Sequence, residues 1–267
     1  MLSTYNVDVN SEDEILPLMG SKEGIMHISM AFLNPGDKVL VPNPGYPTYT
    51  SVSNLMDADI EFYDLNEDDR WNVDVDRLRE KDFSKVKLLW LNFPHMPTGA
   101  QADLNVLKEL IALAKEKKFL IINDNPYSLI LNPKPQSIFN LEGAKDVCLE
   151  LNSLSKSHNM AGWRIGWLTG ASEYISTVLR IKSNMDSGMF LGLQKAAVQA
   201  LSNPLHWHED QNTIYAERRD TIEEIFDYLK VKYDSKSVGM FVWGKVPNSV
   251  EKVEKFVDDI LYKANVF

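Results

Sequence analysis

The sequence holds a single cysteine, Cys148, among its 267 residues, so no internal disulfide can brace the fold. No apolar run approaches the roughly 18 residues that a bilayer span requires. The N-terminal stretch "MLSTYNVDVNSEDE" lacks the basic region and apolar core of a signal peptide. Positive charge is also short: 28 Lys and Arg against 38 Asp and Glu leave a net charge of −10. Such a surface repels nucleic acid and anionic membranes, so neither is expected as a partner, and a cytoplasmic protein is. Repeats and low-complexity tracts are missing too. What remains is an ordinary globular composition, 44% hydrophobic and 25% charged, on a chain long enough for a well-buried core and two lobes of unequal size.

Two kinds of segment alternate through the first two-thirds. Short apolar runs, "DKVLVP" (37–42), "VKLLWLNFP" (86–94), "KFLIIND" (118–124) and "DVCLELN" (146–152), read as buried strands. Between them lie amphipathic patterns. In residues 20–34, Ile25, Ile28, Phe32 and Leu33 form one stripe; in residues 102–118, Leu104, Leu107, Leu110, Ile111 and Ala114 form another, with lysines gathered at the C-terminal end. This alternation predicts an α/β fold: a mostly parallel central sheet flanked by helices, with a smaller α+β domain. Residues 1–203 read as the large domain. Residues 204–267 read as a connecting helix over 204–230, with Ile214, Ile222, Ile225, Phe226 and Leu229 as its buried stripe, then a strand over 239–247 and a last helix over 249–264.

In open parallel sheets, ligands bind at the carboxyl ends of the strands. After "VKLLWL" comes Asn92 in a Pro-rich turn. After "KFLIIN" come Asp124 and Tyr127, and after "VCLELN" come Ser153, Ser155 and Lys156. Gly20 and Ser21 open a helix, whose free N–H groups favour a phosphate. A lysine, a carboxylate and a phosphate cradle suit pyridoxal 5'-phosphate: the lysine takes the aldehyde, and the carboxylate keeps the ring nitrogen protonated.

"SLSKSHNMAGWRIGW" (153–167) resembles the pyridoxal-phosphate attachment motif of the class I/II aminotransferases, of the fold-type I, aspartate aminotransferase-like superfamily. "GSKEG" (20–24), "VPNPGYPTY" (41–49), "NFPHMPTG" (92–99) and "NDNPY" (123–127) follow the family's order, so the resemblance covers nearly the whole chain. It implies an amino group moved between an amino acid and a 2-oxo acid through a Schiff base on Lys156. It implies that Asp124 pairs with the ring nitrogen, and that Asn92 and Tyr127 hydrogen-bond the ring hydroxyl oxygen. Tyr46 would stack on the ring. Gly20, Ser21, Lys22, Ser153 and Arg164, with Ser155 beside them, would hold the phosphate. It also implies a homodimer.

Relative to the family the chain looks truncated at both ends, with 19 residues before Gly20 and no counterpart to the arginine that grips the substrate carboxylate. Weak substrate binding and slow turnover are therefore expected. Two other readings stay open: a pyridoxal-phosphate-dependent carbon–sulfur β-lyase, and a non-catalytic remnant that binds cofactor without turnover. Taken alone, Lys156 and Lys22 would be solvated lysines, Tyr46 a turn aromatic and Asn92 a turn former. His158 reads as a supporting or exposed histidine. "HWH" (206–208) offers no metal site, because i,i+2 side chains on a helix diverge.

Overall fold

The computed structural model describes residues 1–266. Its strands are β1 (Ile15–Leu18), β2 (Lys38–Asn43), β3 (Asp59–Asp64), β4 (Val86–Leu91), β5 (Leu120–Asp124), β6 (Cys148–Ser153), β7 (Gly166–Gly170), β8 (Lys232–Tyr233) and β9 (Gly244–Lys245). The helices are α1 (Leu2–Tyr5), α2 (Ser21–Phe32), α3 (Pro47–Leu55), α4 (Val75–Arg79), α5 (Leu104–Lys117), α6 (Leu154–Ser157), α7 (Ser172–Met185), α8 (Leu191–Leu201), α9 (Leu205–Leu229) and α10 (Val253–Ala264).

Seven of the strands make one sheet in the order β1-β7-β6-β5-β4-β2-β3. All share one direction except β7, which runs antiparallel between β1 and β6. Side chains alternate across the sheet as the pleat requires. Leu89 and Leu91 of β4 join one apolar cluster with Leu107, Leu110 and Ile111 of α5. Leu88 and Trp90 join the opposite cluster with Ile25 and Ile28 of α2 and Val178 of α7. The central strands are covered on both faces, which is why they read as unbroken apolar runs. Helix α5 is bounded as its sequence demands: Asp103 accepts from Asn105 N–H at the start, and Lys118 turns left-handed at the end.

Two expectations need correction. The 239–247 segment is a strand only at Gly244–Lys245, paired with β8. Gly239 takes a positive φ of 82°, and the aromatic side chains are spent elsewhere: Phe241 packs edge-on against Tyr127 and Trp243 against Trp71. Helix α9 forms where predicted, but its apolar stripe is not buried. Phe226 and Leu229 are half-covered, while Ile214, Ile222 and Ile225 are exposed. Periodicity defines an apolar face without supplying what covers it.

Candidate active site

The shared strand direction brings six chain segments to one sheet edge. Strands β1, β2, β4, β5 and β6 all end there, and antiparallel β7 begins there. Their flanking residues therefore converge: Ser21 and Lys22 after β1, Tyr46 after β2, Asn92 after β4, Asp124 and Tyr127 at β5, Ser153, Ser155 and Lys156 at β6, and Arg164 ahead of β7. All of them line a single cavity of about 190 Å³. Gly20 directly precedes Ser21 and is packed against Arg164 without itself lining the cavity.

Asp124 sits at the floor. One carboxylate oxygen, Oδ2, accepts from the Tyr49 hydroxyl at 3.0 Å, and the other, Oδ1, is buried without a partner. Burial pushes the Asp124 carboxyl up from 3.8 to about 7, with the Tyr49 bond pulling the other way. A half-satisfied buried carboxylate is costly unless something cationic or donating comes to it. Tyr49 is itself fully buried and stacks on Trp90 with ring centroids 4.8 Å apart. Asn92 donates to the Asp124 carbonyl at 2.6 Å and accepts from Met96 N–H at 2.8 Å. That leaves one amide hydrogen for the cavity. The buried Tyr127 phenol is pushed well above its usual pKa, first by burial and then by Asp124 and Tyr46; it stays a donor.

The opposite end of the cavity is built for an anion. Gly20 precedes α2 with φ 85°, a conformation open to glycine, and a Cβ there would strike the Arg164 guanidinium. A Cβ on Gly166 would press on Ser21 N at 2.8 Å, so strand β7 can pass directly beneath this turn. Arg164 donates to Ala161 O at 2.9 Å and leans toward Ser155 Oγ at 3.5 Å. Lys22 Nζ lies 5.8 Å from the Tyr46 ring centroid. The Ser153 hydroxyl is already engaged: it accepts from Ser155 N–H at 3.0 Å and donates to Ile165 O at 3.3 Å. It therefore holds the loop rather than offering a free donor.

The structure thus joins all the site residues expected from sequence, and adds Tyr49, whose role the sequence hid. His158 is buried, stacks on Trp207 and meets His208 edge-on. Burial, then His208, drives it down to about 4, so it is a neutral packing residue.

A primary amine, an unpartnered buried acid and an anion cradle fit pyridoxal phosphate. The acid matches a protonated ring nitrogen, and the cradle of helix N-terminus, hydroxyls and guanidinium matches the phosphate.

The sequence matches the family model for aminotransferase class I and II over residues 1–267. It is 38% identical over 264 residues to LL-diaminopimelate aminotransferase from Dehalococcoides mccartyi, covering 98% of this chain and 68% of that protein. Against the same enzyme from Aquifex aeolicus the identity is 37% over 260 residues, covering 96% and 67%. The fold overlays apo-BacF from Bacillus subtilis with a TM-score of 0.94 at 36% identity, over 99% of this chain and 71% of that one. It overlays an aminotransferase from Staphylococcus aureus with a TM-score of 0.92 at 31% identity, over 100% and 70%.

Proposed function

The chain belongs to the class I and II aminotransferase family, and on that premise we propose that its transamination is carried out by Lys156, Asp124 and the residues that share their cavity. The observation that carries this reading is the pairing, in one cavity, of the Lys156 amine with an Asp124 carboxylate whose inner oxygen has no partner.

Bound pyridoxal phosphate would supply an electron sink for the bond broken at the substrate α-carbon. The chain supplies the rest. Lys156 Nζ would hold the aldehyde and, as a free amine, would carry the proton away from the substrate α-carbon. Asp124, oriented by Tyr49, would keep a proton on the ring nitrogen. Asn92 and Tyr127 would hold the ring oxygen, Tyr46 would cover a ring face, and Gly20, Ser21, Lys22, Ser155 and Arg164 would anchor the phosphate with Ser153 bracing their loop. Fixed at both ends, the reacting carbon has little freedom to leave the reach of Lys156.

The same reading places the protein in the cytoplasm, divided into a cofactor domain over 1–203 and a smaller one over 204–267. It also makes the protein a homodimer. The apolar side chains that α8 and its entry leave exposed, Phe190, Leu191, Val198 and Leu201, support such an interface. Sedimentation of the purified chain tests it: a monomer at micromolar concentration would refute the dimer.

The decisive experiment adds pyridoxal phosphate, records the visible spectrum, reduces with borohydride and maps the label. Label on Lys156, with keto acid formed from a panel of amino acids that includes LL-diaminopimelate, is the expected result. Label elsewhere, or none in a folded protein, overturns it. Ammonia and pyruvate in place of a new amino acid would mean β-elimination instead.

A further inference from the structure

Beside the phosphate end of the cavity, on α2 and the end of α7, lies a partly buried cluster of charge. Glu23 and His27 sit on α2, Lys182 on α7, and Asp186 directly after α7. One oxygen each from Glu23 and Asp186 and one ring nitrogen of His27 lie within 4.8 Å of one another, a spacing that could hold a metal. Lys182 already supplies the cation: its ammonium bonds Asp186 and approaches Glu23 Oε1 at 3.4 Å, and it is 6% exposed. His27 Nε2 meets Glu23 Oε1 at 2.9 Å, and its other nitrogen has no partner, so Nε2 carries the donated proton.

The remaining Glu23 oxygen, Oε2, points to neither partner. It accepts the backbone N–H of Met19. Met19 leads out of β1 into Gly20, which lacks a side-chain cap of its own. The turn at Met19–Gly20–Ser21 is therefore held from three sides: by β7 beneath it at Gly166, by the Arg164 guanidinium against Gly20, and by Glu23 from within α2. The third contact is itself fastened to α7, through Lys182. Lys182 is 159 residues away from Glu23 and does not itself line the cavity.

We propose that Glu23 is a positioning residue for the phosphate cradle, fixing the Met19–Gly20–Ser21 turn through Met19 N–H while Lys182 and His27 lock its carboxylate in place. The inference rests on the reading that this turn takes the cofactor phosphate. It assigns the buried ion cluster to pre-organisation of the anion site rather than to fold stability alone, since an unaimed N–H at the turn would weaken phosphate binding without altering the aldehyde end.

The test compares equilibrium binding of pyridoxal phosphate and of pyridoxal, which lacks the phosphate, by their visible absorbance in the full chain. Glu23→Met removes the acceptor at similar size; Glu23→Gln keeps an acceptor for Met19 N–H. The expected result is a fall of about tenfold in the preference for pyridoxal phosphate over pyridoxal in Glu23→Met, in line with loss of one charge-assisted hydrogen bond, with pyridoxal binding unchanged. Glu23→Gln should stay within about threefold of the parent. An unchanged preference in Glu23→Met, or equal weakening of both ligands, overturns the proposal. If Glu23→Met does not fold, Lys182→Met approaches the same carboxylate from the other side, and an unchanged preference there overturns it equally. A parent protein that binds both ligands alike would instead show that the phosphate reading of the turn is wrong.

Discussion

Replacing Asp124 with asparagine should make the cofactor-free protein more stable at alkaline pH while crippling its cofactor binding. The carboxyl ionises near 3.8 when unconstrained and near 7 in its buried place. Between those values the native state holds a proton that the unfolded chain has released, so stability falls as pH rises and levels off above 7. The rise corresponds to roughly 4 kcal/mol withheld from the fully ionised native state. About 2–3 kcal/mol of that accrues between pH 5 and pH 8.5. Asparagine keeps the acceptor for the Tyr49 hydroxyl and carries no charge, so this pH-dependent loss disappears. Urea unfolding of both cofactor-free proteins at the two pH values reads the effect as a difference of differences, in which every other titrating group cancels. Asp124→Asn should lose about 2–3 kcal/mol less than the parent on going to pH 8.5, and should bind pyridoxal phosphate more weakly by tenfold or more, on the order of 1.4 kcal/mol or above. Equal pH slopes in the two proteins would refute the buried-carboxylate reasoning. Undiminished cofactor affinity would refute the assignment of Asp124 to the ring nitrogen.

Three further substitutions probe the same site from other directions. Tyr49→Phe removes the one partner of Asp124 Oδ2; it should raise the Asp124 pKa further and cost the cofactor-free protein about 1–3 kcal/mol above pH 7 but far less at pH 5, measured by the same denaturation pair. Gly20→Ala places a Cβ against the Arg164 guanidinium at a positive φ; it should weaken pyridoxal phosphate about tenfold or more, with strain of about 1–3 kcal/mol, and an unchanged binding curve would count against the cradle. Glu150→Gln should leave cofactor affinity within twofold, on the order of 0.4 kcal/mol, while raising stability at pH 8.5, because that buried carboxyl is also pushed up by burial but does not line the cavity.

The strands were legible because both faces of the sheet are covered, which writes them as apolar runs, and the strand-end rule then located Asn92, Asp124 and Lys156. The end of α5 was legible in the lysines gathered there, whereas the Asp103 cap at its start came only with the structure. The misreadings share a physical cause. The 239–247 segment has strand-like aromatics, but Phe241 and Trp243 are anchored to Tyr127 and Trp71 in other parts of the chain. The α9 stripe has the right period, yet burial depends on a facing surface that no local pattern records. Tyr49 and Lys182 were invisible for the same reason: the first acts on a residue 75 positions away and the second on one 159 away.

Asp124 and Glu150 show how a functional acid differs from a structural one at equal burial. They lie on adjacent strands, and burial raises the pKa of each. Glu150 Oε1 has no partner, as Asp124 Oδ1 has none, but Oε2 collects two donors, Asn123 Nδ2 at 3.0 Å and Ile138 N–H at 2.9 Å. Both belong to the chain itself, so its carboxylate ties β5 and β6 to the segment that crosses them. Asp124 receives one donor, from Tyr49, leaves Oδ1 without a partner, and lines the cavity that Lys156 also lines. Each acid thus keeps one unpartnered oxygen, and what separates them is place: Asp124 lines a cavity where a ligand cation would remove that cost and Glu150 does not, which is the difference expected between a binding residue and a core one.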